Sequence, residues 1–375
     1  MIGSWHQMCF WPRGLIVLIF AIASMAHAAW ANSSFYKGKQ LVVLVNFSQG
    51  GPTDAEGRLL ARHLARIVGG HPAVIVTNMA GDRGAAAANW LANVAAPDGL
   101  ILGYFSGIAS MRAFDDPRLS AGVANLDFIA AGRDVGVTYA RTDIGKGLKS
   151  PTDFLKQTGF WVGGFAPDNV SDLRLRLQLD LLGMNYRYMS GFANVSSARV
   201  AIHSGEIQVL TEPMRSYRFS IEPGLVDEGK AIPLWVDPVD DGEQFTRASE
   251  SEGIPAPIYT DYLRAARGDI PYSQVFDAYR LVNQMGTMFQ RILVLAPGSP
   301  PEAVKALKAG MGRLAVDPAF KEDAQKSLKF QPKFVADEAT EALFYQVVEP
   351  TVDMQVFLAE YIAKGRQAQA QKSTR

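Results

Sequence analysis

A chain of 375 residues is too long for one ordinary core, so two lobes of roughly 150 residues each are expected. Hydrophobic residues at 48% and charged residues at 20% exclude a disordered chain or one built of many membrane spans. Lys plus Arg and Asp plus Glu balance at 37 each, with no basic stripe interleaved with aromatics, which speaks against nucleic acid as a partner.

At the N-terminus Arg13 precedes an apolar run from Leu15 to Met25, and Ala26-His27-Ala28 and Ala29-Trp30-Ala31 follow. The run is short for a membrane span and both triplets have the spacing at which signal peptidase cuts. Residues 1–31 are therefore expected to be a cleaved signal peptide that sends the chain to the periplasm, with an uncleaved anchor as the alternative. Cys9, the one cysteine, departs with it, which removes disulfides, cysteine catalysis and cysteine-held metals from consideration. An apolar β-branched run at 41–45 then enters Phe47-Ser48-Gln49-Gly50-Gly51-Pro52-Thr53-Asp54. Leu60, Leu64 and Ile67 recur at helical spacing before Gly69-Gly70, which predicts a helix and its stop. A strand at 74–76, the loop 78–84, an alanine-rich helix, the turn Pro97-Asp98-Gly99 and a strand at 100–105 complete the unit. Such alternation implies a mostly parallel sheet flanked by helices.

The plan returns further along. A strand at 160–162 enters Gly163-Gly164-Phe165-Ala166-Pro167-Asp168-Asn169, then come a helix closed by Gly183, a strand at 186–189, the loop 191–194, a helix to His203 and a strand at 207–210. Leu173, Leu175, Leu177, Leu179 and Leu181 alternate with Arg174, Arg176, Gln178 and Asp180, which is strand period and contests the helix. A cap at Asp168 or Asn169, the closing glycine and the alignment of Leu173, Leu177 and Leu181 favour the helix. Residues 213–285 are the least readable, with helices expected at 259–266 and 273–283. A strand at 291–295 leads to a helix opened by Ser299 with Glu302 at capping-box spacing, whose buried stripe is Val304, Leu307, Met311 and Leu314. A last helix over 337–364 should break near Pro350, and the polar tail after Arg366 should be mobile.

Glycine loops that follow parallel strands lead into helix N-termini, where unpaired N–H groups and the helix dipole favour an anion. Two such loops, at Gly50-Gly51 and Gly163-Gly164, could clamp one carboxylate between lobes. The plainer readings are that the glycines only turn strand into helix, that Thr53 and Asp54 cap, and that Ser106 satisfies a loop amide.

These loops carry a resemblance. Ser48-Gln49-Gly50-Gly51-Pro52-Thr53-Asp54 resembles the proline-alanine-glycine-glycine-x-threonine-aspartate loop of the periplasmic receptors of tripartite tricarboxylate transporters, the Bug family. Asn78-Met79-Ala80-Gly81-Asp82-Arg83-Gly84 resembles that family's asparagine-x-proline-glycine-alanine-glycine loop, and Ala96-Pro97-Asp98-Gly99 its next turn. The likeness runs on through Gly163-Gly164, Gly205-Glu206-Ile207 and Leu295-Ala296-Pro297-Gly298-Ser299-Pro300, over most of the mature chain. It implies an α/β, two-lobed periplasmic-binding-protein fold, Venus flytrap and type II-like, each lobe a mostly parallel sheet flanked by helices. With the returning strand at 291–295, lobe 1 is expected from 32–133 and 286–375, and lobe 2 from the inserted 134–285, with two hinge crossings. The implied ligand contacts are Ser48, Gly50, Gly51, Thr53, Asp54, Gly81, Gly84 and Ser106 in lobe 1, and Phe165, Ala166, Asn169, Ser171 and Asn194 in lobe 2. Asp82 and Arg83 stand where the family has small residues, and Gln208 where an aspartate is common. Arg83 either meets a second ligand carboxylate or caps a rearranged loop beside Asp82.

The implied partners are a small organic carboxylate and the membrane subunits of a tripartite tricarboxylate transporter, bound by a monomer with no cofactor and no metal. A ligand-sensing receptor for a membrane signalling protein is the alternative, and a periplasmic enzyme acting on a small carboxylate the remoter one. His63, His71 and His203 lack metal-like spacing, and His63 is expected to be partly exposed. No G-x-S-x-G, Walker loop or G-x-G-x-x-G occurs. Asp115-Asp116 and Asp240-Asp241 read as solvated turns. A non-enzymatic protein is expected.

Overall fold

The computed structural model describes residues 35–120 and 122–373, so the expected signal peptide and Cys9 lie outside the described residues. The chain opens with β1 (Gln40–Val45), α1 (Pro52–Ile67), β2 (Ala73–Asn78), α2 (Ala85–Asn93), β3 (Ile101–Ser106) and α3 (Ile108–Ala113). β1 is continuously apolar because it is covered on both faces. Its Leu41, Val43 and Val45 pack with Leu60 and Leu64 of α1, and Leu44 packs with Ala85 and Ala88 of α2.

Two strands that periodicity did not mark come next, β4 (Asp127–Arg133) and β5 (Gly136–Arg141), with only Asp134 and Val135 between them. The second unit is β6 (Phe160–Gly163), α4 (Val170–Leu181), β7 (Tyr186–Met189), α5 (Val195–Ser204) and β8 (Val209–Pro213). A helical turn at Met214–Ser216 runs into a π-helical stretch, Tyr217–Val226. Then follow β9 (Ala231–Val236), the small hairpin β10 (Val239–Asp240) and β11 (Phe245–Thr246), α6 (Tyr259–Arg267) and α7 (Gln274–Thr287). The chain ends with β12 (Arg291–Leu295), α8 (Pro301–Val316), α9 (Pro318–Leu328), β13 (Lys333–Val335), α10 (Glu338–Val348) and α11 (Val352–Ser373).

One sheet has the order β13-β4-β12-β3-β1-β2 and the other β7-β6-β8-β5-β9. In the first, β1 is parallel to β2 and β3, while β12 is antiparallel to β3 and β4. In the second, β6 is parallel to β7 and β8, and β5 is antiparallel to β8 and β9. The two-lobed α/β class stands, with mixed sheets in place of mostly parallel ones. The strands that carry the chain between sheets, β4, β5 and β12, enter against the direction of their neighbours.

α4 is a helix, as its punctuation indicated. Asn169 caps it by accepting from the Ser171 amide, and Gly183 follows it with φ +66°. Its alternation with polar residues arises because nearly the whole surface is buried: it lies between the second sheet and α7, with Leu173 to Leu179 all buried, arginines included. A helix covered all round has no polar face to set a 3.6 period.

The C-terminus departs from expectation in three ways. The break falls at 349–351, as proline requires, but α11 then packs on α7 and β7, burying Leu358 and Ile362 in the core of the second lobe. Residues 352–373 thus belong against lobe 2, not lobe 1, and the chain passes between the sheets a third time. Helix also continues past Arg366 to Ser373. Ser299 does not cap α8: Pro300 is the N-cap, and Ser299 instead donates its amide to Asp127 and its hydroxyl to the Ala296 carbonyl. Two smaller expectations also fail. His63 is buried between α1 and α9 with Nε2 3.0 Å from Asp323, and Asp240 is buried and paired with Arg280 at 3.0 Å.

Candidate ligand-binding site

Both glycine turns are closed by an acid at the third residue of the helix they introduce. In lobe 1 the Gly50 amide donates to Asp54 Oδ2 at 2.9 Å, and Asp54 also accepts from Arg58 Nε and Asn78 Nδ2, each at 2.9 Å. In lobe 2 the Ala166 amide donates to Asp172 Oδ2 at 3.0 Å and the Tyr188 hydroxyl at 2.6 Å, while the Gly164 amide donates to the Met189 carbonyl. Gly164 is required there, because a Cβ would stand 2.1 Å from Asp172. These amides are therefore satisfied inside the protein. Burial acts to raise the Asp54 pKa, but Arg58, the Gly50 amide and Asn78 hold it below the usual range. Burial dominates at Asp172 and lifts it to about 7 against the opposing hydrogen bonds of Tyr188 and the Phe165 and Ala166 amides.

A cavity of about 340 Å³ lies between the lobes. Lobe 1 contributes Phe47, Arg83 and the end of β3 from Ser106, lobe 2 contributes the start of α4, Gly136 at the start of β5, Thr211 and Gly286 at the end of α7, and the crossings contribute Asp134 and Gln290. Ser106 is fixed by Asn46, which clasps its main chain at 3.0 Å on both sides, and its hydroxyl accepts from Arg291 at 2.8 Å. Asn169 Oδ1 accepts from the Ser171 amide at 3.0 Å and its hydroxyl at 2.6 Å.

Arg83 is held over the cavity by a strained loop, since Gly81, Asp82, Arg83 and Gly84 all have positive φ. Its Nη1 meets Asp168 of the other lobe at 3.3 Å. Arg174 reaches the cavity from within α4, its side chain 6% exposed and Nη2 2.7 Å from the buried Asp237. It fits because two neighbours lack side chains: a Cβ on Gly286 would stand 2.2 Å from Nη1, and one on Gly136 3.1 Å from Nη2. Nε and Nη1 of Arg174 find no hydrogen-bond acceptor. Asp134 occupies the crossing between β4 and β5, where burial pushes its pKa up to about 6 against the pull of Arg291.

Of the contacts expected from sequence, Arg83, Ser106, Asn169 and Ser171 line this cavity. Ser48, Gly50, Gly51, Thr53, Asp54, Gly81, Gly84, Phe165, Ala166 and Asn194 do not. Thr53 and Asp54 are buried in the first turn of α1, whose N-cap Gly51 offers no side chain. Phe165 packs on the core, and Asn194 caps α5 through the Ser197 amide. Sequence reasoning passed over Asp134, Arg174, Thr211, Gly286 and Gln290. The one available signal was an arginine set within a leucine run, since a charge on a buried face needs a partner.

No family model and no curated protein matches the chain. Solved structures do. A TctC solute-binding protein from Polaromonas, solved without ligand, is 20% identical with a TM-score of 0.64, covering 88% of this chain and 99% of its own. A periplasmic transporter is 18% identical with a TM-score of 0.52, covering 88% and 98%. An R. palustris protein solved with adipate is 17% identical with a TM-score of 0.50, covering 88% and 96%. The chain has the two-lobed periplasmic-binding-protein fold.

Proposed function

We propose that the chain is a divergent Bug-family solute-binding protein: a monomer, exported by its cleaved signal peptide, that captures a small organic carboxylate in the periplasm and delivers it to the membrane subunits of a tripartite tricarboxylate-type transporter. The observation that carries this reading is a cavity shared by both lobes into which each lobe directs a guanidinium, Arg83 from one and Arg174 from the other. Charge-assisted hydrogen bonds contribute roughly 1.5–3 kcal/mol each, so about three of them approach the roughly 8 kcal/mol of a micromolar complex. The Ser106 hydroxyl, which accepts from Arg291 and keeps its own hydrogen, supplies a further neutral donor, and enclosure between lobes lowers the local dielectric. Lobe 1 in this reading is 32–133 and 288–348, lobe 2 is 134–287 with 352–373, and the ligand is bound and released without turnover.

Isothermal calorimetry with mono-, di- and tricarboxylates and amino acids tests it. Stoichiometric heat with at least one member is expected, matched by a raised melting temperature. Absence of binding across the panel removes the carboxylate reading, and turnover of any member favours an enzyme.

A further inference from the structure

Glu56 does not line the cavity, yet it joins a cavity-lining residue to the opposite lobe. It lies on α1 with its side chain 7% exposed. Its Oε2 accepts from the Tyr104 hydroxyl at 2.7 Å and from Arg291 Nε at 3.1 Å, both in lobe 1. A buried guanidinium needs that counter-charge. Burial acts to lower the Arg291 pKa, and Glu56, Tyr104 and Asp134 more than reverse it. So held, Arg291 donates from Nη1 to Ser106 Oγ at 2.8 Å, and Ser106 lines the cavity. A hydroxyl whose oxygen accepts from a cation turns its own hydrogen away from that donor, so the pose of Arg291 sets where Ser106 donates.

The other oxygen of Glu56 faces lobe 2. Arg215, in the helical turn after β8, reaches across with Nη1 3.7 Å from Oε1, an ion pair too long for a hydrogen bond. Its guanidinium stands 4.6 Å over the ring of Phe330, between α9 and β13 of lobe 1. Arg215 is thus seated on lobe 1 by charge and by stacking. Tyr104 and Arg291 already satisfy Glu56 from within lobe 1, so the contact with Arg215 is not needed to keep the carboxylate buried. What it adds is a link. A shift of lobe 2 changes the charge that faces Oε1, and the carboxylate passes that change to Arg291 and on to Ser106.

We propose that Glu56 is a positioning residue for ligand capture: through Arg291 it aims the Ser106 hydroxyl into the cavity, and through Arg215 it makes that aim depend on lobe 2 being seated on lobe 1. This rests on the carboxylate-receptor reading and extends it to residues that line no part of the cavity. By reciprocity, a ligand that accepts from Ser106 favours the seated arrangement.

The test is a double-mutant cycle on the full exported chain, read by calorimetry and stopped-flow release with malate, succinate, adipate and glutamate as probes. Ser106→Ala and Arg215→Gln should each weaken the tightest-binding probe about fivefold, Arg215→Gln mainly through faster release. Together they should cost about the same fivefold rather than about twenty-five-fold, because without the hydroxyl Arg215 has nothing left to aim. Arg215→Lys, which keeps the charge, should recover most of the loss. Glu56→Gln keeps an acceptor for Tyr104 and Arg291 but presents no charge to Arg215, so adding Arg215→Gln to it should change binding by less than about twofold. Should Glu56→Gln fail to fold, the Ser106–Arg215 cycle decides alone. Urea unfolding of the same cycle should be additive, which separates coupling in binding from a merely structural contact. Losses that multiply in the binding cycle, or unchanged binding in Arg215→Gln, overturn the positioning role and leave the carboxylate receptor standing. Binding of no probe removes both.

Discussion

Asp172 is a buried carboxyl whose partners are the Tyr188 hydroxyl and loop amides. Its folded pKa, lifted by burial to about 7 from 3.8, means the native state keeps a proton that the unfolded chain has released between those values. The associated stability is present below about pH 4 and lost as pH rises through about 7. Asp54 occupies the same helix position in lobe 1, but Arg58 supplies a full charge 2.9 Å away and its pKa is lowered. Its contribution has the opposite sense: present above about pH 4 and lost on acidification. Melting temperatures across pH 5–8 should therefore fall more steeply for the wild type than for Asp172→Asn, by a difference on the order of 2 kcal/mol. Parallel curves would show that the carboxyl is already ionised in the fold.

α4 joins the two tasks of the second lobe, since its leucines hold the sheet against α7 while Arg174 on the same helix reaches the cavity. Leu177 is wholly buried, so Leu177→Ala should cost about 2–5 kcal/mol through lost transfer energy and a residual void. Urea unfolding measures this, and a cost below about 1 kcal/mol would mean the face is not packed as described. The two strand-loop-helix units were legible because most of their strands open with apolar runs and most of their helices present one apolar stripe. α4 could be read only through its cap and closing glycine, since burial on all sides erases the stripe. β4 and β5 were not legible: Gly132, Arg133, Asp134 and Gly136 interrupt the apolar run where the chain leaves one sheet for the other. The site divides in the same way. Ser106, Asn169 and Ser171 follow strands or open helices and carry local signals, whereas Asp134, Arg174 and Gly286 come from a crossing, a helix interior and a helix end, and converge only once the lobes are assembled.

At the scale of the whole molecule, three passages join the lobes, at 134–135, 288–290 and 349–351. The first two are tied by the Asp134 amide donating to the Thr287 carbonyl at 3.1 Å. Arg83 and Asp168 also bridge the lobes, at the lining of the cavity. Their side chains are 53% and 24% exposed, so the pair should contribute at most about 1 kcal/mol to global stability. Its effect belongs to closure, because it can form only with the lobes together. Arg83→Ala should leave the melting temperature nearly unchanged but raise the ligand dissociation rate several-fold, and added salt should do the same to the wild type. The backbone separates this role from that of the loop. Arg83 has φ +56° and ψ +26°, a left-handed conformation that glycine adopts without the Cβ penalty. Arg83→Gly should therefore be more stable than Arg83→Ala by about 1 kcal/mol, while releasing ligand as fast as Arg83→Ala does. Stopped-flow dissociation and denaturant titration of both variants give the answer: wild-type release from either one would make the Arg83–Asp168 pair a passive surface contact and leave closure to the spine alone.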